Sequence, residues 1–144
     1  MRVDGEFSVR MFTPAELTPA DLSTAPAEVT TAVAVGVALM EKQFTGGIEG
    51  RSRTVFTSAF DQGTGVGSYV ALESFEGSVG GRRGCFNFLH TATTHGSDRV
   101  HDLCVVVPGS GTGELTSMAG VGGLAIDPDG THRIWFDLPD AAGL

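Results

Sequence analysis

The run Thr31-Ala-Val-Ala-Val-Gly-Val-Ala-Leu-Met40 constrains this chain more than any other stretch. Its alanine content would suit a helix, but its period does not. Val33, Val35, Val37 and Leu39 fall on one side and Ala32, Ala34, Gly36 and Ala38 on the other, an alternation of two that belongs to a strand with unlike faces. β-Branched segments of this kind recur between Gly, Asp and Pro breaks, and with 21 glycines in 144 residues they predict many short strands rather than helices.

The expected strands are Gly5 to Phe12, Thr31 to Met40, Ile48 to Phe60 after a Gly46-Gly47 turn, Gly67 to Phe75, Gly84 to Thr91 and Leu103 to Val107. Glu114 to Met118 with its continuation to Ile126 follows, then His132 to Leu138 after the turn Asp127-Pro-Asp-Gly130. No linker or repeat divides them, so residues 1–144 read as a single all-β domain, an up-and-down barrel or a sandwich. Residues 13–28, with three prolines, read as an irregular insertion that caps one end.

Seventeen acids against nine bases give a net charge of -8, and Lys42 is the sole lysine. Phosphate backbones and anionic lipids need clustered Lys and Arg, so nucleic acid and membrane are excluded as expected partners. No basic start runs into an apolar stretch, which predicts a cytoplasmic protein. There Cys85 and Cys104 are expected to stay thiols, with Cys85 small and buried.

Three stretches could carry chemistry. The glycines of Val105-Val-Val-Pro-Gly-Ser-Gly-Thr-Gly-Glu-Leu115 do not make a phosphate loop, because Glu114 stands where a lysine is required. They read as a wide connection between strands, with Ser110 and Glu114 as candidates for the edge of a pocket mouth. The crowding of His90, His95, His101, Asp98 and Asp102 lacks any His-x-His pair and reads as a polar hairpin, so no metal and no cofactor is expected.

The most informative stretch is Tyr69 to His90. Tyr69, Ala71, Glu73 and Phe75 share one strand face, and Gly84, Phe86, Phe88 and His90 share another. If both point inward, Glu73 is desolvated and its pKa raised, a state suited to general acid or base work. The alternative is an exposed Glu73 paired with Arg82 or Arg83. In the last strand His132 falls on one face and Trp135 with Asp137 on the other.

In order, Phe44-Thr-Gly-Gly-Ile-Glu-Gly50, Tyr69-Val-Ala-Leu-Glu73, Gly81-Arg-Arg-Gly-Cys-Phe86 with His90, Val106-Val-Pro-Gly-Ser-Gly-Thr-Gly-Glu-Leu115 and His132 resemble a bacterial family of small proteins of unknown function. That family's barrel is like that of plant allene oxide cyclase, and calycin- or lipocalin-like in general shape. The resemblance covers about residues 40 to 138 and implies a single eight-stranded antiparallel β-barrel with a largely apolar cavity, often in a homo-oligomer. Allene oxide cyclases steer ring closure without a cofactor, by shape and exclusion of water. No motif here aligns with their catalytic residues. Ile134 and Leu138 stand where the family's last strand carries Tyr, which implies a more apolar cavity.

The function expected on these grounds is a cofactor-free cyclase, isomerase or dehydratase acting on a hydrophobic small molecule. Glu73 and His90 would be its acid and base, and Tyr69 an orienting donor. Phe75, Phe86, Phe88, Ser110, Glu114, His132 and Trp135 would contact the substrate. A barrel that binds a small molecule without transforming it is the competing expectation. A module whose interior Phe86, Phe88 and Trp135 fill is the third.

Overall fold

The structure, a computed structural model, describes residues 1–16 and 25–139. Eight antiparallel strands follow one another in space as they do in sequence: β1 (Arg2–Ala15), β2 (Val35–Gly46), β3 (Ile48–Asp61), β4 (Val66–Val79), β5 (Arg82–His95), β6 (Val100–Val106), β7 (Val121–Ile126) and β8 (His132–Asp137). β8 pairs back onto β1, from Arg2↔Asp137 to Phe7↔His132, and closes a barrel-like ring. Among the described residues the only helix is a single 3-10 turn, Gly113–Leu115, and no helix is long and apolar enough to cross a membrane.

The ring is not uniform. β2 to β5 form a long wall in continuous register, whereas β6 and β7 share a single pair, Val105↔Val121. Beyond it Leu124, Ala125 and Ile126 have no partner on β6. β1 is paired on both sides only up to Phe7; its second half leans on β2 alone. That free edge tolerates Pro14, which cannot donate to a ladder.

The alternation in Thr31–Met40 is present from Val35 onward, with the small residues inside. Ala38 is buried while Val35 is exposed, and residues 31–34 precede the strand. β1 runs on through Ala15, so Thr13, Pro14 and Ala15 are strand rather than insertion; residues 17–24 of the expected cap lie outside the described residues.

The strand expected at Glu114 to Met118 is absent. Thr112 O lies where a Cβ on Gly84 would stand, so only glycine lets this loop lie flat on β5. The chain then turns inward at Gly113 (φ 60°) and sends Leu115 and Met118 into the core. With Val3, Phe44, Ile48, Phe75, Phe86, Phe88, Val106, Ile134 and Phe136 they seal one end of the ring. Cys85 is exposed on the outer face of β5 and Cys104 is buried on β6, both as free thiols.

Candidate active site

Above the sealed end, the inward positions change character. Lys42 on β2, Ser52 and Thr54 on β3, Glu73 on β4 and His90 on β5 are buried polar side chains, with Glu73 0 % and Lys42 and His90 each 3 % exposed. Register explains the grouping. Lys42 lies opposite Ser52, Thr54 opposite Glu73, and His90 opposite Ala71, one inward step from Glu73. Side chains with period two on tilted neighbouring strands thus form one diagonal belt.

The belt is a continuous hydrogen-bonded chain. Glu73 Oε1 accepts from Lys42 Nζ at 2.8 Å and from His90 Nε2 at 2.9 Å, and Glu73 Oε2 accepts from the Ser52 hydroxyl at 2.6 Å. On the far side of the imidazole, His90 Nδ1 and the Tyr69 hydroxyl are 2.9 Å apart, and Arg99 Nη2 donates to Tyr69 Oη at 2.7 Å. Because an ionised carboxylate only accepts, Nε2 must carry the proton; Nδ1 is then the acceptor and Tyr69 the donor.

Charge states follow from the same contacts. Burial alone would push Glu73 up, but His90 and Lys42 bond its charged form and hold it down at about 2. This corrects the raised carboxyl expected from sequence: an inward Glu73 is desolvated, yet it is ionised because two donors and a lysine charge meet it. Burial lowers the pKa of His90, reinforced by the Lys42 and Arg99 charges, against the opposing pull of Glu73. The imidazole is therefore neutral at neutral pH. Burial raises Tyr69, with Arg99 opposing, so the phenol keeps its proton.

The chain ends in open space. An inner cavity of about 180 Å³ is walled by Phe7, Val9, Met40, Phe56 and Leu124, with Lys42, Tyr69, His90, Arg99 and His132 on its surface. Phe56, Tyr69, Arg99 and Ile126 also line an outer mouth of about 730 Å³, so the two spaces adjoin across these four side chains and together are called the funnel. Small inward residues, Gly36, Ser58, Gly67 and Ala92, leave the mouth empty.

Of the residues expected in the site, the structure brings together Glu73, His90 and Tyr69, and places His132 on the cavity wall, stacked on Phe7 with ring centroids 5.0 Å apart. The others lie elsewhere. Phe75, Phe86 and Phe88 are inward but interlock in the sealed end. Trp135 is on the outer face, over Gly123 and under Arg2, because β8 turns His132, Ile134 and Phe136 inward. Ser110 binds Val107 O and the Asn87 backbone, and Glu114 accepts from Arg83 N; both fasten the glycine loop far from the funnel.

Lys42, Ser52 and Arg99 were not anticipated. Lys42 had a signal, since it is the sole lysine and shares the face of Phe44. Arg99 had none. Cys104 and Val106 point inward on β6, and a plain strand would turn Arg99, at odd spacing, outward. A one-residue bulge between Thr91↔Leu103 and Thr93↔Val100 resets the parity, with His101 at φ 51°.

A model of a family of unknown function, DUF3224, matches residues 3–138. The chain belongs to the DUF3224 family. A crystal structure of a DUF3224 protein of unknown function from Shewanella oneidensis is similar to it, with a TM-score of 0.73 and 30% identity over 96% of this chain and 98% of that one. No curated protein matches this DUF3224 chain. Both findings bear on the family and the all-β ring and assign no chemistry.

Proposed function

We propose that this protein is a cofactor-free enzyme that moves a proton on a hydrophobic small molecule held in the funnel, an isomerase, cyclase or lyase working in the manner of allene oxide cyclase by shape and exclusion of water. The observation that carries this reading is the series Glu73–His90–Tyr69, which leads from a buried carboxylate to a phenol on the cavity wall.

A carboxylate, an imidazole and a hydroxyl in series form a relay. As Tyr69 Oη takes a proton from substrate, its own proton passes to His90 Nδ1. The imidazolium that forms is stabilised by Glu73, and the phenol stays neutral throughout. Reversal returns the proton to another position of the same molecule or to a leaving oxygen. Lys42 and Ser52 hold the Glu73 carboxylate in place. General acid–base catalysis of this kind contributes about 10²- to 10⁴-fold.

Incubating a panel of apolar ketones with enolisable C–H bonds in D₂O, followed by proton NMR, tests the relay. The wild type is expected to exchange a C–H proton of at least one member, and Tyr69→Phe to slow that exchange about 10²-fold or more while the ligand still binds. Ligands that bind and return unlabelled would instead favour a binding protein. One feature favours that second reading: Tyr69 and His90 already satisfy each other.

A further inference from the structure

Arg99 is out of place by the ordinary rules for a charged side chain. Among the described residues its Nε is buried without a hydrogen-bond partner, and the guanidinium donates from Nη2 to the neutral Tyr69 hydroxyl. The other guanidinium contact is the Tyr69 ring, 5.5 Å from Cζ. Among the described residues no carboxylate forms a salt bridge with Arg99, whereas Arg2, Arg51 and Arg133 each have an acidic partner at 2.7 to 2.8 Å. Arg99 is only half-buried, yet a guanidinium whose Nε is shut away from water and that faces no acid favours a negatively charged partner.

Two further observations point the same way. With histidines counted as neutral, Lys42 (+1) and Arg99 (+1) on the inner cavity and Glu73 (−1) bonded to Lys42 behind it sum to +1, inside a protein of net charge -8. Asp98 also lines the mouth but is turned away from Arg99, accepting from His95 N and lying 3.2 Å from His95 Nδ1. The bulge that aims Arg99 inward holds His101 in the left-handed region, a conformation that costs a non-glycine residue about 1 to 2 kcal/mol. Strain of this kind is found beside ligand sites, where it positions a side chain.

We infer that the funnel takes a carboxylate-bearing apolar molecule, with Arg99 as the anchor of its carboxylate and the Phe7, Val9, Met40, Phe56 and Leu124 walls around its body. The anchor places the carboxylate beside Tyr69, so the atoms within reach of the relay are those near the acid group. This specifies the substrate class of the proposed function and rests on the same cavity.

The test is calorimetric titration with a series of straight-chain and aryl carboxylic acids, each matched to the alcohol of the same skeleton, at neutral pH. Acids are expected to bind more tightly than their alcohols. Arg99→Gln should weaken acid binding about ten- to hundredfold and leave alcohol binding unchanged, the loss expected for a charge-assisted hydrogen bond. Arg99→Lys should retain part of it, and Arg133→Gln, whose arginine pairs with Asp127 outside the funnel, should change nothing. Alcohols binding as well as acids, or Arg99→Gln weakening both alike, would overturn the anchor and leave the cavity reading intact. If neither series binds at all, both are wrong.

Discussion

At the sealed end of the ring, Phe44, Phe75, Phe86, Phe88 and Phe136 meet edge-on or tilted, with centroids 5.3 to 5.9 Å apart. At the mouth, the same strands β2 to β5 turn Gly36, Ser58, Gly67 and Ala92 inward and leave a funnel. Along β2 to β5 the strand type, pairing and alternation do not differ between the two ends, and the volume of the inward side chains does. Aromatic rings fill a ring of eight strands completely, while small residues leave it hollow. One end therefore supplies most of the stability, and the other has room for a ligand. The buried ion pair sits at the border between them.

The largest expected effect lies at the sealed end. Phe88→Ala removes a fully buried ring touching Phe86 and Phe136 and is expected to cost about 3 to 5 kcal/mol in urea unfolding. A loss under about 1 kcal/mol would mean that the floor collapses easily and that the contrast between the ends is overdrawn.

The border should be next. Lys42→Met leaves the Glu73 carboxylate buried with Ser52 and His90 alone and is expected to cost about 3 kcal/mol at neutral pH. Acid should act on the same groups. Glu73 is held below its ordinary value, so its contribution is complete above 4.5 and lost as pH falls toward about 2. His90 is lowered from 6.5, so protonating it also favours the unfolded chain, and stability should begin to fall below that pH. Unfolding curves from neutral to strongly acid pH check both. A Glu73→Gln protein with an unchanged acid limb would sever the link to the belt.

The smallest effect is expected in the glycine loop. Ser110→Ala removes the hydroxyl that fastens the loop to β5 and should cost about 1 kcal/mol in the same unfolding assay. It should leave ligand binding unaltered. A change in affinity would place the loop at the funnel after all.

Much of the site was legible because period two is a local property. Once Phe86 and Phe88 face inward so does His90, and once Phe75 does so do Glu73 and Tyr69; adjacent hairpin strands bring them together. Charge was less legible, since the state of Glu73 depends on Lys42, which lies on β2, two strands away from β4. Arg99 was illegible because a single inserted residue reverses which face a side chain takes. Ser110 and Glu114 misled because a glycine string looks the same whether it borders a ligand or packs on a neighbouring strand.

The amino-acid sequence by itself determined that this chain forms strands with alternating faces joined by turns, since alternation and turn residues act over a few neighbouring positions; the strands of 12 to 14 residues in β1 to β5 are longer than the short ones expected. Only the tertiary structure decided that small residues line a funnel, that Trp135 lies outside, and that Glu73 is ionised. Those outcomes depend on how eight strands close, where bulges shift their parity, and which charges closure brings within bonding distance.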